Sequence, residues 1–241
     1  MFILYLFLSF GMLVADQKKE AIVLIADPRV LTIPIKENHD PLVSLLNQKE
    51  LRYGPSPEVP NNKDYTNIRK TVYEKLLKAQ KRLPKEIVFC LYDGHRSLKL
   101  QGELFDQYYK KMKEQHPSFN HKELFEETLK LVSPVKNLDG SQNVPPHSTG
   151  GAIDVYLVNK NGEVLDMGIH PKDWQIDLTG EISQTNSKVI SKTAQKNRQI
   201  MNEALRSVGF VNYPTEYWHW SYGDRYWAYQ SKTKEAIYGG L

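Results

Sequence analysis

The chain has 241 residues, 40% of them hydrophobic and 11% aromatic, with 32 basic and 28 acidic residues and a formal net charge of +4. That composition excludes an intrinsically disordered chain. Charges of both signs alternate along the sequence without the cationic stripe of a nucleic-acid groove, so no nucleic-acid partner is expected; the length fits one domain of roughly 220 residues.

The first fifteen residues, MFILYLFLSFGMLVA, are uncharged. Their apolar run is shorter than the roughly 17–25 residues of a spanning helix and fits the core of a secretory signal. The leader lacks Lys or Arg, and Leu13 stands where a small residue is usual, so an uncleaved anchor is the alternative. The expectation is a signal peptide over 1–15, a folded domain over 16–241, a periplasmic or secreted location, and no stable membrane insertion once the leader is gone.

Residues 21–26 read as a strand. IRKTVYEKLLKA places Ile68, Val72 and Leu76 on one face and predicts a helix. Residues 87–91 form an apolar strand holding Cys90, the sole cysteine, which reads as buried and inert. Arg96 follows in LYDGHRSL, at the edge of an element. It either faces a developing oxyanion or pairs with Asp93 on the surface. Ser97 caps the next helix, with Leu100, Leu104, Tyr108 and Met112 as its apolar stripe. A third helix is expected over 122–131, then a loop rich in Pro, Asn and Gly up to residue 146.

Seven histidines are present, and His116 and His121 sit in polar surroundings that mark them as surface residues. HSTGGAID sets His147 seven residues before Asp154. On one regular strand the two would face opposite ways, but Gly150 and Gly151 permit a bend. Strand 152–158 then points Ile153, Val155 and Leu157 at the core and leaves Asp154 a carboxylate among apolar neighbours. Such a group needs a cation, an arginine or backbone amides, and this stretch alone leaves all three open. A last helix over 188–208, with Ile190, Ala194, Met201 and Leu205 inward, stops at Gly209 and leads to YPTEYWHWSYGD and a strand over 218–221. A histidine with a carboxylate close by, as in Glu216 and His219, suits zinc hydrolysis, in which the metal acidifies water and the carboxylate takes its proton. An aromatic core strand with a satisfied histidine is the alternative. The mixed element order favours an α+β fold, a small central, mostly antiparallel sheet with flanking helices.

DGHR, HSTGGAID and EYWH, in that order, resemble the zinc D-alanyl-D-alanine dipeptidases of the VanX type, in the wider group of zinc D,D-peptidases. LRYG near Tyr53, GEVLDMG and NRQIMNEALRSVGF extend the likeness over residues 51–226. The resemblance implies one Zn²⁺ per chain held by His147, Asp154 and His219, with Glu216 as general base. It also implies that Arg96 stabilises the tetrahedral intermediate and that Tyr53 lies near a small D-amino-acid dipeptide or peptidoglycan-derived peptide. Two positions depart from the family: Pro145 replaces a serine, and IHPKDW leaves Asp173 only approximately matched to an acidic residue that receives the substrate ammonium. Both concern the free amino end. The rival readings are a D,D- or L,D-carboxypeptidase trimming longer stem peptides and a non-catalytic, zinc-containing muropeptide-binding module.

Overall fold

The computed structural model describes residues 22–57, 59–177 and 179–241; the expected leader and its cleavage point lie outside them. In chain order the elements are a helical turn α1 (Pro28–Leu31), strands β1 (Leu42–Ser44), β2 (Arg52–Tyr53) and β3 (Asn67–Arg69), helix α2 (Lys70–Gln80), strand β4 (Ile87–Asp93), helices α3 (Leu98–Gln115) and α4 (His121–Leu129), strand β5 (Ala152–Asn159), helix α5 (Lys192–Arg206), strands β6 (Val211–Asn212) and β7 (His219–Ser221), and helix α6 (Arg225–Gln230). Five strands form one sheet in the order β2-β4-β5-β7-β6. Only β2 and β4 run parallel within it. A separate ribbon pairs β1 with β3. The fold is α+β with a small, mostly antiparallel sheet.

The centre of the sheet is buried on both faces. Ile153, Val155 and Leu157 of β5 join Phe89 and Leu91 of β4 in the main core, against Val72, Leu76 and Ala79 of α2 and Met201, Ala204 and Leu205 of α5. Each of the larger side chains among these, Val, Leu, Ile, Phe or Met, contributes about 1.5–3 kcal/mol by leaving water. On the other face Tyr156 and Val158 enclose Cys90, a free and buried thiol. This second face, at its Asp154 end, carries the site.

Several elements differ from the sequence expectation. No strand forms over residues 22–26; they find no partner strand and pack instead beside Val30, Tyr213 and Tyr226. Ile68 belongs to β3, because residues 67–69 pair with 42–44 and the helix starts only at Lys70. In α3 the Ser97 cap forms as expected, its side chain accepting from Leu100 N, but the buried positions are Gln101, Phe105 and Met112. Leu100, Leu104 and Tyr108 are half-buried, and the last two line a cleft. Helix α5 begins at Lys192 behind a Ser191 cap, so Ile190 precedes it. Strand β7 begins at His219 rather than at residue 218.

Candidate active site

His147 does not lie on β5. It sits in a 3-10 turn (Pro146–Thr149) that closes on Gly150 at φ +70°, a left-handed conformation that glycine adopts without strain. Arg69 clamps this turn from beneath, at 2% exposure. Its Nε donates to Thr149 O at 2.7 Å, its guanidinium grips the Glu37 carboxylate, and its main-chain N donates to Gly150 O at 2.9 Å. Nothing local in the sequence marks Arg69 for this task, since its partners are far along the chain.

The His147 ring is then fixed by Gly94, whose carbonyl oxygen lies 2.8 Å from Nδ1. That oxygen can only accept, so Nδ1 carries the proton and Nε2 presents a lone pair. Gly94 is obligatory at this crowded point: a Cβ there would lie 2.6 Å from Tyr65 O and 2.7 Å from Asn67 O.

Strand pairing supplies the other two groups. Asp154 on β5 stands directly opposite His219, the first residue of β7. His219 Nδ1 is 3.0 Å from Asp154 Oδ1 and 3.2 Å from His147 Nε2, and His147 Nε2 is 3.4 Å from Asp154 Oδ1. A tetrahedral zinc with bonds of about 2.0–2.2 Å separates its ligand atoms by about 3.3–3.6 Å. The triangle is close to that size, fully buried, and its three groups form a possible metal-binding set. Three acceptor-rich atoms aimed at one point, with at most a His219 proton to share, fit a divalent cation. Burial pushes the Asp154 carboxyl up, but His147 and His219 outweigh it and hold the group far below the usual carboxylate range. Burial, helped by the Arg96 charge, lowers His147 and keeps it neutral. For His219 burial is outweighed by Asp154, and the ring is raised.

A β-bulge sets Arg96. Leu91 pairs with Val155 and Asp93 with Asp154, so Tyr92 is the extra residue on β4. Asp93 thereby turns toward the site, wholly buried, and accepts from Arg96 Nε at 2.6 Å. Arg96 Nη2 lies 3.5 Å from Asp154 Oδ2, and Nη1 donates to Gln101 at 3.2 Å. The Asp93 pair foreseen on the surface exists, but inside the site, and it leaves the guanidinium facing the Asp154 carboxylate as well.

Glu216 ends the turn after Pro214 and projects into the cleft beside this group. Burial, then the nearby Asp154 charge, raises its carboxyl to about 7, against the pull of His219 and Arg96. It lines a hollow of about 60 Å³ with His147, His219 and Pro145. It also lines a cleft of about 290 Å³ with Asp154, Arg96, Tyr108 and Trp174. A third space of about 490 Å³ continues along Tyr108, Lys111 and Trp174. Tyr53 is not brought there: it is an exposed edge-strand residue on a separate hollow with Cys90 and Tyr156. His170 packs against Tyr92 and Tyr156, and Asp173 is half-buried in the 3-10 turn that follows it.

A buried imidazole–carboxylate–imidazole triangle with a proton-accepting carboxyl alongside is a donor set suited to metal-assisted hydrolysis. The chain belongs to the Peptidase_M15 family, D-ala-D-ala dipeptidase, whose profile matches residues 65–237, and it is a peptidase. Tyr53 lies outside the matched stretch. A D-alanyl-D-alanine dipeptidase of Synechocystis sp. is 27% identical over 227 residues, spanning 83% of this chain and 89% of that protein. A D-alanyl-D-alanine dipeptidase of Escherichia coli is 36% identical over 73 residues, 30% of this chain and 35% of that one. Among solved structures, the LdcB LD-carboxypeptidase is similar at TM-score 0.38 and 17% identity, covering 84% of this chain and 80% of its own. VanYB in complex with D-alanine-D-alanine is similar at TM-score 0.40 and 13% identity, covering 79% and 88%.

Proposed function

We propose that the chain is a zinc peptidase that hydrolyses D-alanyl-D-alanine, or a related D-amino-acid dipeptide from peptidoglycan. The observation that carries this reading is the buried triangle of His147 Nε2, Asp154 Oδ1 and His219 Nδ1; the name of the Synechocystis relative supports the substrate. These three side chains would hold one Zn²⁺, which when bound acidifies water and polarises a carbonyl. Glu216 takes a proton from the attacking water and returns it to the departing amine, so that the C–N bond breaks with hydroxyl on the acyl carbon and hydrogen on nitrogen. Arg96, held by Asp93, places a fixed positive charge beside the carbonyl oxygen as negative charge develops there. Export of the chain, with residues 1–15 removed, would put the enzyme in the periplasm or the medium, where peptidoglycan fragments occur.

The test is release of D-alanine from D-alanyl-D-alanine by purified protein, with and without a chelator. Activity that a chelator leaves intact overturns the zinc reading. A second reading, D,D- or L,D-carboxypeptidase action on longer stem peptides, is favoured by one feature: the cleft continues past Tyr108 and Trp174 into about 490 Å³ of further space. Pentapeptide cleaved faster than dipeptide would establish it in place of the first.

A further inference from the structure

We propose that Gln101 is a positioning residue for Arg96: its side-chain amide fixes the plane of the guanidinium and ties it to the loop that runs into the His147 turn. The inference rests on the role proposed above for Arg96 and adds to it a residue that acts through that arginine.

Gln101 is a polar residue in a core position. With Phe105 and Met112 it makes up the buried positions of α3, and it is 2% exposed. An amide there is unfavourable unless both of its ends are bonded. Both are: Oε1 accepts from Arg96 Nη1 at 3.2 Å, and Nε2 donates to Ser133 O at 2.8 Å. A guanidinium can only donate and a carbonyl oxygen can only accept, so one orientation of the amide serves both. Local geometry directs the side chain. Helical side chains lean toward the helix N-terminus, and Gln101, near the start of α3, leans back over the Ser97 cap to the residue just before it. A residue that only tied α3 to the loop would need the Ser133 bond alone.

What the amide gives Arg96 is a second anchor. Asp93 takes Nε at 2.6 Å, and Nη2 lies 3.5 Å from Asp154 Oδ2. One bond at Nε leaves the planar group able to turn about it, and the Asp154 carboxylate would draw it into a closer ion pair. A guanidinium turned that way no longer holds its charge beside the carbonyl oxygen. The bond at Nη1 sets the plane and holds it off Asp154. The other end of the amide is braced in turn: Asn143, 3% exposed, donates to Pro134 O at 2.8 Å and to Ser133 Oγ at 3.3 Å. This loop continues through Pro145 into the His147 turn, where His147 O accepts from Arg96 N at 3.3 Å. The guanidinium is thus aligned to the same loop that carries His147. A shift of about 1 Å in such a group costs up to about 10²-fold in rate.

The experiment measures kcat and KM for D-alanine release from D-alanyl-D-alanine and from a pentapeptide ending in it, with zinc stoichiometry and thermal melts alongside. The proteins are wild type, Gln101→Met, Gln101→Glu, Arg96→Lys and the double variant Arg96→Lys with Gln101→Met. Methionine fills the space of Gln101 and removes both bonds. The expected result is a kcat about 10–100-fold lower, with zinc retained and KM within about threefold of wild type. In the Arg96→Lys background the same substitution should change kcat by less than about threefold, because the fork it positions is already gone. The Ser133 bond is lost in both backgrounds, so a packing role would lower kcat equally in both. Gln101→Glu keeps an oxygen for Nη1 and loses only the Ser133 bond, so its kcat should stay within about tenfold of wild type, whether or not Gln101→Met folds. Wild-type kcat in Gln101→Met, equal losses in the two backgrounds, or a larger loss in folded Gln101→Glu each overturns the positioning role alone. Wild-type protein that releases no D-alanine from either peptide overturns the proposed function, and the role of Gln101 with it.

Discussion

Glu216 and Arg96 both face the triangle, yet their surroundings give them opposite properties. Glu216 has its carboxyl raised to about 7 by burial and by the Asp154 charge, so it can gain and lose a proton near neutral pH, as a general base must. Glu216→Gln keeps shape and hydrogen bonding but accepts no proton. It should bind zinc like wild type and lose about 10²–10⁴ in kcat; zinc stoichiometry and D-alanine release are the measurements. Loss of the metal would make Glu216 a ligand, and full activity would end its role as base. His219→Ala should lose zinc and activity together. Arg96 is different, because its Nε is bound to an Asp93 carboxylate with no solvent exposure. Arg96→Ala therefore strands a buried charge, at a cost of about 3–5 kcal/mol, besides the rate loss of about 10²–10³ expected for one oxyanion donor. Arg96→Lys retains the charge and separates the two effects: its melting temperature should lie well above that of the alanine variant, while kcat/KM stays low because a lysine cannot reproduce the forked contacts to Asp93 and Gln101.

The elements that carry the site do so through close approach, and Gly94 is the tightest case. Gly94→Ala would push a methyl group against Tyr65 O and Asn67 O and shift the carbonyl that orients His147. The expected result is a loss of about 1–3 kcal/mol in stability together with weaker zinc binding, read by thermal melts and a zinc titration. Wild-type affinity in a folded Gly94→Ala protein would show that the carbonyl does not set the ring. At this scale the sequence is informative where chemistry stands out from its background. Asp154 amid AIDVYLV and His219 amid YWHW are conspicuous, and the helix cap at Ser97 follows from local hydrogen bonding. It is less informative where a residue's task depends on distant chain. Residues 22–26 carry a strand's composition but meet no strand edge. Helix α3 offers two apolar rows, and only the fold decides that Phe105 enters the core while Tyr108 borders the cleft. Arg69 carries no local signal for its task, because the Thr149 turn it holds lies far along the chain.

Across the whole molecule the triangle joins a turn before β5, the strand itself, and its sheet neighbour β7, with His147 and His219 seventy-two residues apart. A cation there ties β7 to the His147 turn, so saturating zinc should raise stability, by about 2.7 kcal/mol at a hundred times the dissociation constant. After chelation the same site should make stability depend on pH through Glu216. Its folded value of about 7 lies above the ordinary 4.5, so the folded state binds this proton more tightly than the unfolded chain. The resulting stabilisation is fully present below pH 4.5 and is lost as pH rises through 7, since burying the ionised carboxylate beside Asp154 is unfavourable. Glu216→Gln has no such proton. The melting temperature of chelated wild type minus that of chelated Glu216→Gln should therefore fall steadily between pH 4.5 and 7.5, and adding zinc should flatten the trend by supplying a positive charge beside the carboxylate. A difference independent of pH in the chelated proteins would show that the Glu216 carboxyl titrates in the folded protein as it does in the unfolded chain, and the assignment of a proton-handling role near neutrality would go with it.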